Sequence, residues 1–364
     1  MKKSRILSAL VITIMTFTLV LAGCGSGTSG GGGGGGDPIT IKVNSFLTEG
    51  SSLTEGTKAF VAAIAEESNG ELVGEGYYNG TLLGFADSWE GCGAGTVDVA
   101  YIAPAILGQY SRLLDGLQLP YKNLSADEMN TTKAFNEIVN SHEEFAKDLE
   151  KHNLKVLYVE GVPSSGIHTV KTPITLPADC KGIIINALGK CNTDLFTSLG
   201  AQTVALDFGE YLLSAQKGVA DAFLDGWGAI NDSQLIEALE SHTLFGELSE
   251  EHPGGGGISS SPMTYVINLD KWNSLTESQQ KALVSACEKG VATVPALDLV
   301  GSLAAYNVAI DRGDTIVNVK GAELEAWLTA AQPVVDDWIK AMDSQGYDGA
   351  ALYADFQASI NKYQ

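Results

Sequence analysis

Catalysis in a chain of 364 residues would be sought first at its five histidines and five cysteines. His142, His152, His168, His242 and His252 stand in no HExxH or other metal-ligand spacing. Cys92, Cys180, Cys191 and Cys287 form no CxxC pair, so no zinc site is expected. Cys180 and Cys191 are near enough in sequence to bridge across a short strand in an oxidising compartment; buried free thiols are the other reading. The chain has no Gly-Xaa-Ser-Xaa-Gly elbow and no phosphate loop ending in Gly-Lys-Ser/Thr. Gly91-Cys-Gly-Ala-Gly95 is glycine-rich but reads as a helix C-terminus, since no strand precedes it and no helix follows. Gly254–Gly257 reads as a mobile loop, with a backbone-amide anion nest as its alternative. An enzyme must supply an acid, a base or a nucleophile. None is identifiable, so no catalysis, cofactor or metal is expected.

The termini and the charge narrow the class further. Lys2, Lys3 and Arg5 precede an apolar run from Ile6 to Leu21, the order of a secretory signal. Leu21-Ala-Gly-Cys24 resembles the lipobox of bacterial lipoproteins, which implies cleavage before Cys24 and lipidation there. Gly25–Gly36 is almost all Gly and Ser and reads as a flexible tether. No other run is long enough to span a bilayer, so the lipid is the expected membrane anchor. The formal net charge is −22, and removing the signal takes three bases and no acid. Nucleic-acid binding, which needs Lys and Arg against phosphate, is excluded as a function class.

From Pro38 onward, strands and helices alternate. Ile39-Thr-Ile-Lys-Val-Asn alternates apolar and polar as a strand does, and Ser52–Glu67 has helical spacing. Further strands are expected at Leu72–Tyr78, from Val97, from Leu154, over Gly182–Asn186, from Val204, from Ala220 and over Thr264–Asn268. Helices are expected over 86–95, 126–151, 192–199 and 208–217. Alternation of this kind implies parallel sheets. Gly95-Thr-Val-Asp-Val-Ala resembles Gly218-Val-Ala-Asp-Ala-Phe: each is a helix stop followed by a strand carrying one Asp. Two related α/β halves suggest a ligand cleft between them. The last third reads as helical, over Leu275–Gly290, Thr293–Ala309 and Ala322–Met342. Thr293 is the expected N-cap of the second of these, with Pro295 in its first turn.

The motifs, in order, are Tyr78-Asn-Gly-Thr-Leu-Leu-Gly84, Gly95-Thr-Val-Asp-Val-Ala100, Leu119-Pro120-Tyr121, Pro173-Ile174, Pro177-Ala-Asp-Cys-Lys-Gly182, Leu199-Gly-Ala201, Gly218-Val-Ala-Asp221, and Ile267-Asn268 with Trp272, Leu275 and Gln279. Their order and spacing resemble the solute-binding proteins of TRAP (tripartite ATP-independent periplasmic) transporters, from Ile39 to about Lys340. The resemblance implies an α/β, two-lobed periplasmic-binding-protein-like fold of type II, with hinged lobes and long C-terminal helices. It places a signal peptide at 1–23 and the lipidated Cys24 with its tether at 24–37. The first lobe is then 38–163 with 251–290, and the second is 164–250 with 291–364. It implies an extracytoplasmic receptor that passes a small-molecule ligand to TRAP permease membrane subunits.

The same resemblance suggests which residues bind. Phe46 and Leu47 follow the first strand, Tyr101 and Ala103 end the third, and Phe208 stands where an aromatic covers the ligand. Asn186 occupies the position of the arginine that usually forks onto a substrate carboxylate. A second arginine is common near Gly166–His168, yet no Arg or Lys occurs between Gly161 and Val170. Asp225 replaces an asparagine, and Trp227 follows it. A desolvated Asp facing a ligand carboxylate without arginine is unfavourable, so a neutral or cationic polar metabolite is expected. The alternatives are an organic acid held by another base such as Lys190, and a ligand-sensing lipoprotein that signals without transport.

Overall fold

The computed structural model describes residues 37–364 apart from 163, 164, 247 and 250. The expected signal peptide, the lipidation of Cys24 and nearly all of the tether lie outside the described residues. Pro38–Gln364 forms one compact unit.

Eleven strands follow in chain order among the described residues: β1 (Ile39–Asn44), β2 (Leu72–Tyr77), β3 (Val99–Ile102), β4 (Leu154–Glu160), β5 (Gly166–Thr169), β6 (Ile184–Asn186), β7 (Gln202–Val204), β8 (Ala222–Asp225), β9 (Ser241–Phe245), β10 (Met263–Asn268) and β11 (Thr315–Val319). The helices are α1 (Ser52–Glu67), α2 (Ser88–Gly93), α3 (Pro104–Tyr110), α4 (Arg112–Asp115), α5 (Glu128–Ser141), α6 (Glu143–Glu150), α7 (Lys190–Ser198), α8 (Tyr211–Lys217), α9 (Trp227–Asp232), α10 (Leu269–Ser274), α11 (Glu277–Val291), α12 (Val294–Arg312), α13 (Ala322–Ser344) and α14 (Gly349–Lys362).

Two sheets organise the two halves. The first has the order β2-β1-β3-β10-β4 and the second β11-β9-β5-β8-β6-β7. β1 pairs in parallel with β2 and β3, as the alternation predicts. The all-parallel expectation fails elsewhere. β10 returns antiparallel between β3 and β4, and β5 is antiparallel to both β8 and β9. Both strands follow a passage from one half to the other, β5 directly after β4 and β10 after β9, so no crossover helix constrains their direction. β5, β9 and β11 have no counterpart among the expected strands. β5 and β9 are buried along their whole length despite polar residues, so they show no apolar–polar alternation to read.

Local sequence explains the elements that position the cleft. Ser51 Oγ accepts the Thr54 N–H (3.2 Å) and so starts α1. Phe60 and Ile64 bury one face of α1, and Gly74 of β2 lets that helix close in, since a Cβ there would lie 2.5 Å from the Val61 carbonyl oxygen. Thr276 and Gln279 form a capping box that opens α11. Thr293 stands at the N-cap of α12 as expected, with Pro295 in the first turn, but its hydroxyl makes no capping bond and donates instead to the Gly290 carbonyl (2.7 Å). The helix expected over 126–151 is two helices, because the backbone of His142 is extended between α5 and α6. That break turns Phe145 and Leu149 into the core.

The long helices tie the halves together. α13 packs on α4 and α7, with Trp338 fully buried and its Nε1 donating to the Arg112 carbonyl (2.7 Å). α14 packs on α5, so it returns to the first half rather than staying with the second, as a lobe boundary at 291 would have it. The segment Glu277–Arg312 is by length and composition apolar enough to cross a membrane, contrary to the expectation that no later run is; here α11 packs on α1, and α12 on α9 and α1. Gly254–Gly257 is held rather than loose. Gly255 bridges to Phe245 at a positive φ of 71°, and a Cβ on Gly256 would meet the Leu124 carbonyl oxygen at 2.2 Å.

Candidate functional site

The C-terminal ends of β1 and β3 carry the first group of expected ligand residues. Phe46 is half-buried and edge-on to Phe85 (5.2 Å). Leu47 is held by its backbone, the carbonyl accepting from Asn79 N–H (2.9 Å). Ala103 is buried and precedes α3 as its N-cap residue. Tyr101 is fully buried, packed on Tyr265 (4.3 Å), and its hydroxyl donates to Glu160 Oε2. Glu160 ends β4 and is only 2 % exposed, and its Oε1 has no hydrogen-bond partner. Burial pushes the Glu160 carboxyl up to about 8, against the Tyr101 hydrogen bond.

The ends of β6 and β8 carry the second group. Asn186 is fully buried; its Oδ1 accepts the Leu206 N–H (3.0 Å), which fixes the amide and leaves Nδ2 without a hydrogen bond. The Tyr211 hydroxyl faces both Asn186 and Asp225. Phe208 is half-buried and leans on Tyr211 (5.3 Å). Asp225 is half-buried, and its Oδ1 accepts the Gly226 N–H (2.9 Å). Burial, with the nearby Asp298 charge, pushes Asp225 up to about 7. Trp227 opens α9 and is 1 % exposed, with its Nε1 unpartnered.

His168 packs against this end from within the second half. Its ring is fully buried and edge-on to Trp227 (4.7 Å). Nε2 lies 3.2 Å from the Asp225 carbonyl oxygen and Nδ1 lies 2.8 Å from His242 Nδ1. His242 Nε2 in turn meets Asp314 Oδ2 (3.1 Å). Burial and His242 hold His168 well below the usual histidine range. Against the upward push of burial, Arg312 and His242 keep Asp314 below its ordinary value.

The charges around the strand ends are one-sided. Asp298 of α12 accepts from Ser302 (2.8 Å) and lies against the backbone of Gly228, where a Cβ would stand 1.9 Å from Oδ1. Burial raises Asp298 to about 6, and burial with the Asp298 and Glu160 charges raises Glu128 to about 9. The two described arginines are committed elsewhere, Arg112 to Asp115 and Arg312 to Asp314. Lys190, the base considered for holding an acid, spends its ammonium on Asp194 (2.8 Å). Cys92, Cys180, Cys191 and Cys287 are buried free thiols, so the Cys180–Cys191 bridge does not form. Among the described residues, no three His, Cys, Asp or Glu side chains are grouped to hold a metal ion.

The structure thus brings Asn186, Phe208 and Asp225 together around Tyr211, with His168 and Trp227 packed behind. Tyr101 reaches them through the acids Glu160 and Asp298. Phe46, Leu47 and Ala103 flank the first sheet's strand ends without touching that cluster. Sequence reasoning missed Glu160, Asp298, Glu128 and Tyr211. Two of these had a readable signal: Glu160 is the lone acid of an otherwise mostly apolar strand, and Asp298 is the lone acid in the apolar first half of its helix.

Residues 43–341 match the family of bacterial extracellular solute-binding proteins, family 7 (DctP). A marine metagenome TRAP solute-binding protein specific for aromatic acid ligands, solved with 3-hydroxybenzoate, is 25 % identical with a TM-score of 0.77, over 90 % of this chain and 100 % of that one. A Bordetella bronchiseptica TRAP periplasmic protein with bound mandelate is 20 % identical, TM-score 0.74, covering 90 % and 100 %. A Chromohalobacter salexigens protein with bound D-glucuronate is 21 % identical, TM-score 0.72, covering 88 % and 99 %. Two α/β halves, each built on its own sheet, agree with this match. The chain belongs to the family 7 extracellular solute-binding proteins, the extracytoplasmic receptors of TRAP transporters.

Proposed function

We propose that this protein captures one small organic acid between its halves and delivers it to the membrane subunits of a TRAP permease, anchored by lipid at Cys24. The observation that carries the reading is the match of residues 43–341 to the family 7 solute-binding proteins, and the buried Glu160 Oε1 without a hydrogen-bond partner at a strand end supports it. A buried polar atom without a partner costs about 1–3 kcal/mol, and a ligand contacting both halves removes that cost. Such contacts exist only when the halves are closed, so binding shifts the population toward closure. The basic Lys2, Lys3 and Arg5 ahead of the apolar run Ile6–Leu21, and the lipobox-like Leu21–Cys24, support the anchor.

The relatives solved with ligands carry 3-hydroxybenzoate, mandelate, glucuronate and pyroglutamic acid. These support an organic acid over the neutral or cationic metabolite expected from the residue changes at Asn186 and Asp225. The test is a thermal-shift screen of residues 38–364 with organic acids, polyols and amines. A ligand at about 100 times its Kd stabilises by about 2.7 kcal/mol. Stabilisation by an acid, weakened by Asn186→Ala, supports the reading; stabilisation by polyols alone overturns its ligand class.

A further inference from the structure

Two histidines behind the end of β8 form one hydrogen-bonded chain with an acceptor at each end. His168 of β5 and His242 of β9 stand opposite each other in the antiparallel register, and both are fully buried. The contacts run from the Asp225 carbonyl to His168 Nε2 (3.2 Å), from His168 Nδ1 to His242 Nδ1 (2.8 Å) and from His242 Nε2 to Asp314 Oδ2 (3.1 Å). The carbonyl has no proton to give, and Asp314 is a carboxylate gripped by Arg312 through Nε (2.7 Å) and Nη2. Trp227 lies against both rings, with centroids 4.7 Å from His168 and 4.5 Å from His242, and Tyr306 of α12 stands edge-on behind it. The charged groups that face the pair are Asp314 and Arg312, with Glu240 acting on Arg312 from just before β9. The Asp225 carboxyl ends the adjoining strand.

Three contacts between two terminal acceptors need three protons, and two neutral imidazoles supply two. In the neutral pair, one contact must set lone pair against lone pair. Asp314 carries the charge, so it claims the proton of His242 Nε2. His242 Nδ1 then accepts from His168 Nδ1, and His168 Nε2 is left with its lone pair toward the Asp225 carbonyl. One added proton removes the conflict. It enters at His168 Nε2, while the Nδ1 proton of His168 passes to His242 Nδ1. His242 becomes an imidazolium donating at both nitrogens, His168 stays neutral, and all three contacts hold. The Trp227 ring lies against the new charge. Burial holds both rings below the ordinary histidine value, against the Asp314 contact that raises His242, so the step falls on the acid side of neutrality. We propose that His242 is a positioning residue of the binding site: through the one proton it shares with His168, it decides whether the Asp225 end of β8 is held or released. Its bearing on the ligand rests on the receptor reading above, with Asp225 in the cleft; the ring chemistry does not.

The test is a nitrogen NMR titration of histidine-labelled residues 38–364, a unit compact on its own, from about pH 8.5 to 5. The nitrogen shift separates a protonated ring nitrogen from one that bears a lone pair. We expect one step shared by two rings: His242 goes from the Nε2–H tautomer to an imidazolium, while His168 stays neutral and changes from Nδ1–H to Nε2–H. Asp314→Asn supplies a readout that a merely structural contact would not move. The introduced amide can donate to His242 Nε2, so two neutral rings complete the chain. The shared step should disappear, with His168 fixed as the Nε2–H tautomer; the parent titration decides alone if this variant does not fold. The Asp225 carboxyl is itself pushed up to about 7. The strand end is therefore read as the carbonyl-carbon shift of residue 225 in Asp225→Asn, which should follow the ring step. Rings that titrate independently, a His168 that keeps one tautomer in the parent, or a step that survives in Asp314→Asn overturn the proposal. Isothermal titration with 3-hydroxybenzoate, mandelate and glucuronate keeps the two readings apart. No binding of any acid counts against the receptor reading and not against the ring step. An acid whose affinity has the same pH dependence in the parent and in Asp314→Asn leaves the receptor standing and sinks the positioning role.

Discussion

Replacing Glu160 by glutamine should stabilise the unliganded protein, increasingly so as the pH rises from about 4.5 to 8. The carboxyl is 2 % exposed, and burial moves it from 4.5 to about 8. A group raised in the fold holds its proton more tightly there than in the unfolded chain. Its contribution is therefore neutral below about pH 4.5 and increasingly unfavourable as pH rises to 8. At about 1.36 kcal/mol per pH unit, the full penalty above pH 8 is on the order of 5 kcal/mol. Glutamine keeps an oxygen for the Tyr101 hydroxyl and removes the charge. Urea unfolding of Glu160→Gln and the parent at pH 5 and pH 8.5 should show midpoints together at the lower pH. At the higher pH the variant should gain about 3–5 kcal/mol. A gap of the same size at both pH values would show that Glu160 is not a desolvated carboxyl, and the argument for an unsatisfied acid at the strand end would fall with it.

Three more outcomes follow from particular contacts. Trp338→Ala removes a fully buried indole that fills against Gly116 and donates to the Arg112 carbonyl, and should cost about 3–5 kcal/mol in denaturant unfolding. Gly228→Ala drives a Cβ to 1.9 Å from Asp298 Oδ1, so it should destabilise by about 1–3 kcal/mol and weaken ligand binding in the same titration. Asp314 is held below its ordinary value by Arg312 and His242, so its stabilisation is present above pH 4 and fades below 3.8. Asp314→Asn should therefore lower the melting temperature at pH 7, with the gap closing as the pH drops toward 3.

Family and receptor class were legible in the chain because they rest on local signals. Turn glycines, the strand alternation of Ile39–Asn44 and the Thr276–Gln279 capping box act within a few residues and survive in any register. Resemblance singled out Asn186, Phe208 and Asp225, and folding gathers the three around Tyr211, since each sits at the end of, or just after, a strand. It could not separate His168 and Trp227, which pack behind that site, from residues that face the cleft. Burial depends on what the opposite element brings, here His242 and Tyr306 from distant parts of the chain.

Tertiary structure alone decided the electrostatics. Glu160, Asp298 and Glu128 are ordinary acids in the sequence, lying on a strand, in a helix and at a helix start. Folding brings them together with Asp225 and takes the two described arginines away to Asp115 and Asp314. The chain by itself pointed to a two-halved receptor body and singled out positions 186 and 225 as expected ligand contacts. Which charges face that position was settled by long-range packing, because a carboxyl's energy is set by its neighbours in space and by the water it loses, and neither is written in its own stretch of sequence.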